Sequence, residues 1–364
     1  MGHLVLINPW SPDTYQDLDD ITAIEPPLFV RLIAGYVRDK GHQVSIIDAE
    51  AERLSYAQVA AKTEAIRPDL IGVLAYGHQP SASTQQMHPA GEICKAVRSI
   101  APVILAGGHV SVLPERTLKE ESVDYVAIGE GAVTIEQLLS GRIDVQGLGL
   151  RPDIIRNNPA PLLATSDLHG NAWDLLPMQK YRAHNWHAKE RQPYASIYTS
   201  LGCPFKCVFC CINAPFGGPG YRVRSPESVV AEIIHLHDEY GVEAFKITDE
   251  MFVLKPSHYL PICEGLAGLS FADDLNIWAY ARIDTVRPET LTTLRKAGIR
   301  WLALGIESAS NTVRDGADKS FGDKDIIQVV KSIQRAGIKV IGNFIFGLPE
   351  DTFGSMYDTL DLAF

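Results

Sequence analysis

The chain has 364 residues, 46% hydrophobic and 21% charged, a globular composition long enough for two domains with cores of their own. Its net charge of −11, with no long Lys/Arg run, argues against a nonspecific nucleic-acid surface or an anionic-membrane patch. Six cysteines over this length make no disulfide framework, and no apolar run reaches the length of a membrane span. The run His3-Leu-Val-Leu-Ile7 passes at once into Asn8 and Pro9 with no secretory leader before it, so a cytoplasmic protein in a reducing compartment is expected.

The first half alternates short apolar runs with amphipathic stretches. Strands are predicted over residues 3–8, 43–48, 70–76, 103–106 and 125–128, and helices over 27–40, 56–66, 85–100, 114–120 and 132–140. Gly41 follows the first helix where a C-cap glycine belongs. Five strands and five helices in alternation predict an α/β domain with a doubly wound, flavodoxin-like parallel sheet over residues 1–141. Between 142 and 193 the alternation lapses at Pro152, Pro159, Pro161, Pro177 and Pro193, and the stretch reads as a linker. From Tyr194 it resumes, with strands predicted over 196–200, 244–248, 277–281, 301–305 and 339–346 and helices over 226–240, 256–266, 288–297 and 323–336. Ser225 and Pro226 are an N-cap and a first-turn proline. Residues 194–364 are thus expected to build a partial (βα)6 barrel that ends within its sixth helix.

Between the first two strands of that half lies Gly202-Cys-Pro-Phe-Lys-Cys-Val-Phe-Cys210, which places Cys203, Cys207 and Cys210 with three and then two residues between them. Three thiolates can hold three irons of a four-iron cluster and leave the fourth iron open, whereas electron-transfer cubanes take four cysteines. The competing reading is structural zinc, which needs a fourth ligand. Cys211 would supply it only by straining a tetrahedral site next to Cys210. Cys94 and Cys263 stand alone in apolar surroundings and read as buried small hydrophobes.

The cysteine spacing, with Phe209 as the aromatic residue before the last cysteine, resembles the radical S-adenosylmethionine (SAM) superfamily. The resemblance runs from Tyr194 to the end. It implies a [4Fe-4S] cluster on Cys203, Cys207 and Cys210 whose open iron binds SAM and whose electron cleaves it to a 5′-deoxyadenosyl radical. It implies further that Asp249 and Glu250 meet the methionine amino group, Arg282 the SAM carboxylate, and Glu307 and Ser308 the ribose and adenine. The backbone of Gly342-Asn-Phe-Ile-Phe346-Gly-Leu-Pro349 is suited to the adenine edge. Each group follows a predicted strand, where parallel α/β folds bind ligands. Each also has an ordinary reading: a helix N-terminus for Asp249-Glu250, a surface pair for Arg282 and Asp284, and a plain turn for Gly347-Leu-Pro349.

The first half resembles the cobalamin-binding domain that precedes the radical half in the cobalamin-dependent branch of that superfamily. The matching stretches include Ile7-Asn-Pro9, Pro26-Pro27, Asp48, Pro68-Asp69-Leu-Ile-Gly72, Gly107-Gly108-His109 and Ile128-Gly-Glu-Gly131. A corrin is expected over the loops holding Asn8, Pro9, Trp10, Ala75, Tyr76 and His78. Its nucleotide tail is expected by Gly107, Gly108, Gly129, Glu130 and Gly131, since glycine permits close backbone approach. The Asp-x-His-x-x-Gly run that sets a His under cobalt in other cobalamin enzymes is absent. His78 and His109 are therefore the candidate lower ligands, against the ordinary reading of each as a loop histidine. Asp48 reads equally as a strand-end group bonded to backbone.

The resemblance implies an enzyme that uses the cluster, SAM and cobalamin to methylate an unactivated carbon of a small molecule. It would draw electrons from a donor such as flavodoxin or ferredoxin, with no nucleic-acid partner. Radical cyclisation or ring rearrangement without methyl transfer is the alternative within the family. A corrinoid-binding carrier or regulator with an inactive cluster half is the alternative of another class.

Overall fold

The computed structural model describes residues 1–11, 13, 18, 20–79, 82–150, 155–156, 158–322 and 325–364. Pro12, Pro152 and Asp323, where a helix is predicted to begin, lie outside the described residues. The chain divides into two compact units, residues 1–185 with 211–218, and residues 186–210 with 219–364.

The first unit runs β1 (His3–Asn8), α1 (Leu28–Asp39), β2 (Gln43–Asp48), α2 (Ala49–Glu52), α3 (Tyr56–Ile66), β3 (Leu70–Ala75), α4 (Met87–Val97), β4 (Val103–Gly107), α5 (Gly108–Val112), α6 (Pro114–Glu120), β5 (Tyr125–Ala127), α7 (Ala132–Leu139), β6 (Leu148–Leu150) and β7 (Ile155–Arg156). Its sheet has the order β2-β1-β3-β4-β5-β6-β7. The first five strands are parallel and the last two antiparallel. The 2-1-3-4-5 order is the flavodoxin-like one, with a topological switch between β1 and β3. Leu4, Val5, Leu6 and Ile7 of β1 are all fully buried, as in a parallel strand covered on both faces. The chain leaves α1 through Gly41, whose φ of +88° is the left-handed turn a C-cap glycine supplies. β6 and β7 fall in the stretch read as linker; strands this short show no period in sequence. α2 and α5 were likewise not predicted, because each starts directly from a strand end.

The second unit runs β8 (Tyr194–Ile197), β9 (Ser200–Leu201), β10 (Arg222–Val223), α8 (Pro226–Tyr240), β11 (Ala244–Ile247), α9 (Pro256–Ala267), β12 (Asn276–Ala281), α10 (Leu291–Lys296), β13 (Ile299–Glu307), α11 (Asn311–Gly316), α12 (Ile326–Arg335), β14 (Lys339–Phe344) and α13 (Phe353–Ala363). Its main sheet has the order β14-β13-β12-β11-β8, with every pair parallel. Neighbours in space are neighbours in sequence, so the units wind in one direction as in a barrel wall. Of the six βα units expected, the described residues hold five strands in this sheet, and α13 follows the fifth. Ser225 caps α8 by accepting from Ser228 N at 3.2 Å, with Pro226 opening the helix. Among the described residues no helix is long and apolar enough to cross a membrane.

Candidate functional site

In the second unit the ends of β8 and β11 lie side by side, and Asp249 joins them. It is 1% exposed and accepts from Thr199 N at 2.6 Å, from Ser200 Oγ at 2.7 Å and from Thr199 Oγ1. His258 Nε2 lies 2.9 Å from the same Thr199 hydroxyl. Burial pushes the Asp249 carboxyl up, while these donors oppose the shift. Asp249 thus holds the backbone where it enters the cysteine loop. Neither Thr199 nor His258 carries a motif that would have marked it in the sequence.

β9 and β10 form a two-residue antiparallel ladder that brackets the loop. Inside it Gly220 N donates to Cys203 O at 3.2 Å, Cys210 N to Cys207 O at 3.1 Å, and Val208 N to Ala317 O at 3.2 Å. Cys203, Cys207 and Cys210 carry thiols rather than disulfides; the first is buried, the second half-buried and the third exposed. Burial pushes the Cys203 thiol up, and the nearby Glu250 carboxylate adds to this. Among the described residues no three His, Cys, Asp or Glu side chains are gathered as a metal-holding set. The donor chemistry fits an iron–sulfur cluster all the same: three thiols on one loop and no carboxylate or imidazole among them.

The other predicted residues of this unit sit around that loop. Arg282 is buried, and its guanidinium lies 3.9 Å from the Phe205 ring centroid. Glu307 ends β13 where the register with β14 shifts, and its φ of +64° is a left-handed conformation uncommon outside glycine. Its carboxylate pairs with Lys319, which also stands 5.5 Å from the Phe209 ring centroid. Ser308 Oγ lies 3.2 Å from Thr359 Oγ1 of α13 and accepts from Ser310 N at 3.2 Å. The Ser308 carbonyl accepts from Arg314 Nη1. Phe209 and Phe346 are exposed. Lys319 and Arg314 lie in a polar stretch after β13 that carries no motif to mark them in the sequence.

In the first unit Asn8, at the end of β1, donates to Asp48 Oδ1 at 2.8 Å. The same oxygen caps α2 by accepting from Glu50 N and Ala51 N, and Tyr181 OH donates to Oδ2 at 2.7 Å. Burial, reinforced by Glu50, pushes Asp48 up to about 6. Pro9 is buried, and Trp10 is half-buried with Arg53 4.8 Å from its ring centroid. Ala75 closes β3 in the core. Tyr76 stacks on Phe29 with ring centroids 4.1 Å apart, and its buried hydroxyl has no hydrogen-bond partner among the described residues. His78 Nε2 lies 2.9 and 3.0 Å from the Glu50 carboxylate oxygens, with Glu25 at 3.9 Å from Nδ1. The His109 ring reaches Thr84 Oγ1 at 3.1 Å, and its backbone N donates to Ser83 Oγ at 3.0 Å. A Cβ on Gly107 would come within 2.6 Å of Ala75 O, so only glycine fits there, and Gly108 lies next to it against Ser83. Gly129 and Gly131 both have positive φ, and Glu130 between them accepts from Leu163 N at 3.0 Å.

The Tyr76 hydroxyl after β3, buried and without a partner among the described residues, and the glycine turns after β4 and β5 fit an amphipathic macrocycle with a polar tail. Both histidines are already engaged by side chains of their own unit.

Residues 18–139 match the B12 binding domain and residues 197–363 the Radical SAM superfamily. The chain is 32% identical over 356 residues to the uncharacterized methyltransferase PH0819 of Pyrococcus horikoshii, covering 93% of this chain and 73% of that protein. It is 25% identical to the anaerobic magnesium-protoporphyrin IX monomethyl ester cyclase of Cereibacter sphaeroides over 97% of this chain and 58% of the cyclase. The fold is similar to that of the radical SAM methyltransferase TsrM of Kitasatospora setae, solved with cobalamin and a [4Fe-4S] cluster. That match has a TM-score of 0.77 at 20% identity and covers all of this chain and 70% of TsrM. With the two domain matches in tandem and the relationship to PH0819, the chain belongs to the radical SAM enzymes that carry a B12-binding domain.

Proposed function

We propose that this enzyme reductively cleaves SAM at a [4Fe-4S] cluster on Cys203, Cys207 and Cys210 and, with cobalamin, methylates an unactivated carbon of a small molecule. The observation that carries the reading is the thiol-only loop at the end of the first strand of a parallel sheet, preceded by a complete 2-1-3-4-5 sheet. Residues 1–141 form the cobalamin-binding domain and 194–364 the radical domain, and the stretch 142–193 between them adds β6 and β7 to the first sheet. When bound, the cluster supplies the electron that opens SAM and cobalamin supplies a transferable methyl group.

The chain's own residues do the placing. Asp249 fixes the entry to the thiol loop through Thr199 and Ser200. Glu250 offers a carboxylate to an ammonium group beside Cys203. Glu307, held by Lys319, and Ser308 flank the ribose and adenine, while Phe209 and Phe346 offer aromatic surface. In the first unit Asn8, Pro9, Trp10, Ala75 and Tyr76 support the corrin, and the glycines at 107, 108, 129 and 131 admit its tail. His78 Nε2 is held by the Glu50 carboxylate and His109 Nδ1 by the Thr84 hydroxyl, each within the first unit. Electrons come from a flavodoxin- or ferredoxin-like donor.

The test is anaerobic purification followed by iron, sulfide and corrinoid analysis and then reduction with SAM present. Cluster, corrinoid and 5′-deoxyadenosine release are expected, and a Cys203/Cys207/Cys210→Ala variant should lack the first and the last. Tetrahedral zinc in place of iron would end this reading. Cluster and SAM bound without deoxyadenosine would favour a corrinoid carrier. The cyclase relative gives a second reading, radical cyclisation, and product lacking any methyl carbon from labelled SAM would favour it.

A further inference from the structure

The family resemblance gives Arg282 to the SAM carboxylate, yet its donors are occupied within the protein. Its side chain is 5% exposed. Nε donates to Asp284 Oδ1 at 2.9 Å and Nη2 to Asp284 Oδ2 at 3.2 Å. Nη2 also donates to the Ser320 carbonyl at 3.0 Å, and Nη1 points to Cys207 Sγ at 3.9 Å. Four of its five N–H groups are therefore directed at protein acceptors. Two-pronged recognition of another carboxylate needs two free N–H groups on one fork, and only one remains.

The guanidinium also has the Phe205 ring 3.9 Å away and the Phe321 ring 5.4 Å away. It therefore touches the thiol loop twice, at Phe205 and Cys207, and residues 320 and 321 twice. A second set of contacts joins the same two segments: Val208 N donates to Ala317 O, and Lys319 stands by Phe209. Residues 317–321 and Arg282 thus hold the loop at every position from 205 to 209 except Lys206. All three thiols belong to the loop, and the N–H of this buried cation is aimed at the sulfur of Cys207.

We propose that Arg282 is a positioning residue for the Cys207 sulfur rather than a SAM ligand. Its N–H fixes the sulfur within the loop and raises the reduction potential of the cluster held there. The inference rests on the cluster reading given above. Reduction adds one negative charge to the cluster. A buried cation with a donor aimed at a ligating sulfur stabilises that added charge, and hydrogen bonds to sulfur are among the main determinants of such potentials. Lysine keeps the charge but not the planar fork that meets Asp284, Ser320 and Cys207 together.

The test compares anaerobically reconstituted full-length wild type with R282Q and R282K. Each is titrated with dithionite without SAM and followed by electron paramagnetic resonance of the reduced cluster. SAM affinity is measured separately on the oxidised form by equilibrium dialysis. R282Q should shift the reduction equilibrium about tenfold toward the oxidised cluster, about 59 mV lower for one electron. R282K should shift it in the same direction by less, and SAM affinity should hold in both. An unchanged potential with SAM affinity lowered tenfold would overturn the proposal and return Arg282 to the SAM carboxylate. If R282Q does not load iron, R282K decides: a potential below wild type with SAM affinity kept supports the proposal, and one equal to or above wild type overturns it. A wild-type chain that binds no iron–sulfur cluster would instead overturn the functional reading beneath it.

Discussion

Replacing Asp48 with Asn should make the protein's stability less sensitive to pH, with a size that follows from the geometry. Asp48 is 1% exposed, and burial with the nearby Glu50 holds its carboxyl at about 6, against 3.8 for a free aspartate. The folded chain therefore binds this proton more tightly than the unfolded chain. Stability from this group is greatest at low pH, falls as pH rises from about 4 to about 6, and stays reduced above that. At about 1.4 kcal/mol per pH unit, the gap amounts to roughly 3 kcal/mol. Asparagine keeps an Oδ1 for the donors from Asn8, Glu50 and Ala51, and turns its amide toward Tyr181 OH, which can accept as well as donate. Urea unfolding of wild type and D48N, followed by tryptophan fluorescence, measures the effect. The difference in unfolding free energy should move in favour of D48N by about 2 kcal/mol between pH 4 and pH 7, most of the full gap. E50Q in the wild-type background should reduce the pH dependence. A D48N difference that does not change across this range would refute the reasoning.

D249A should lower stability by roughly 3 kcal/mol or more, because three buried donors on Thr199 and Ser200 lose their acceptor; loss under 1 kcal/mol in urea would refute the bracing role. G107A should cost about 1–3 kcal/mol, since the added Cβ meets Ala75 O, and should weaken hydroxocobalamin binding measured by its visible spectrum. In the metal-free native protein, iodoacetamide should modify Cys207 and Cys210 well before Cys94 and Cys263. The latter two are fully buried and burial pushes their thiols up. Peptide mass spectrometry reads the order, and early labelling of Cys94 or Cys263 would contradict the packing described.

The alternation of apolar and polar runs was enough to locate the main strands. The β1, β2, α3, α6 and α8 bounds agree with those read from periodicity, because each keeps its own repeat up to a clear stop. The hairpin β9–β10, the short α5 and α11, and the antiparallel β6 and β7 are not legible, since two or three residues show no strand alternation and five or six make less than two helical turns. The thiol loop was legible from spacing alone. What the side chains around it do was not: sequence placed Arg282 and Asp249 at strand ends but could not say that their hydrogen bonds turn inward. Lys319 and Thr199 gave no signal because their partners, Glu307 and Asp249, are remote in sequence. The same holds for His78, whose engagement by Glu50 appears only once β2 and β3 flank β1.

The thiol loop is graded in exposure. Its start is bonded into the sheet through Thr199, Ser200 and Asp249 and buries Cys203, whereas Cys210 lies at the solvent-facing end. An oxidant arriving from solvent would therefore meet the three sulfurs in the order Cys210, Cys207, Cys203, and the thiol nearest the sheet would be the last one lost.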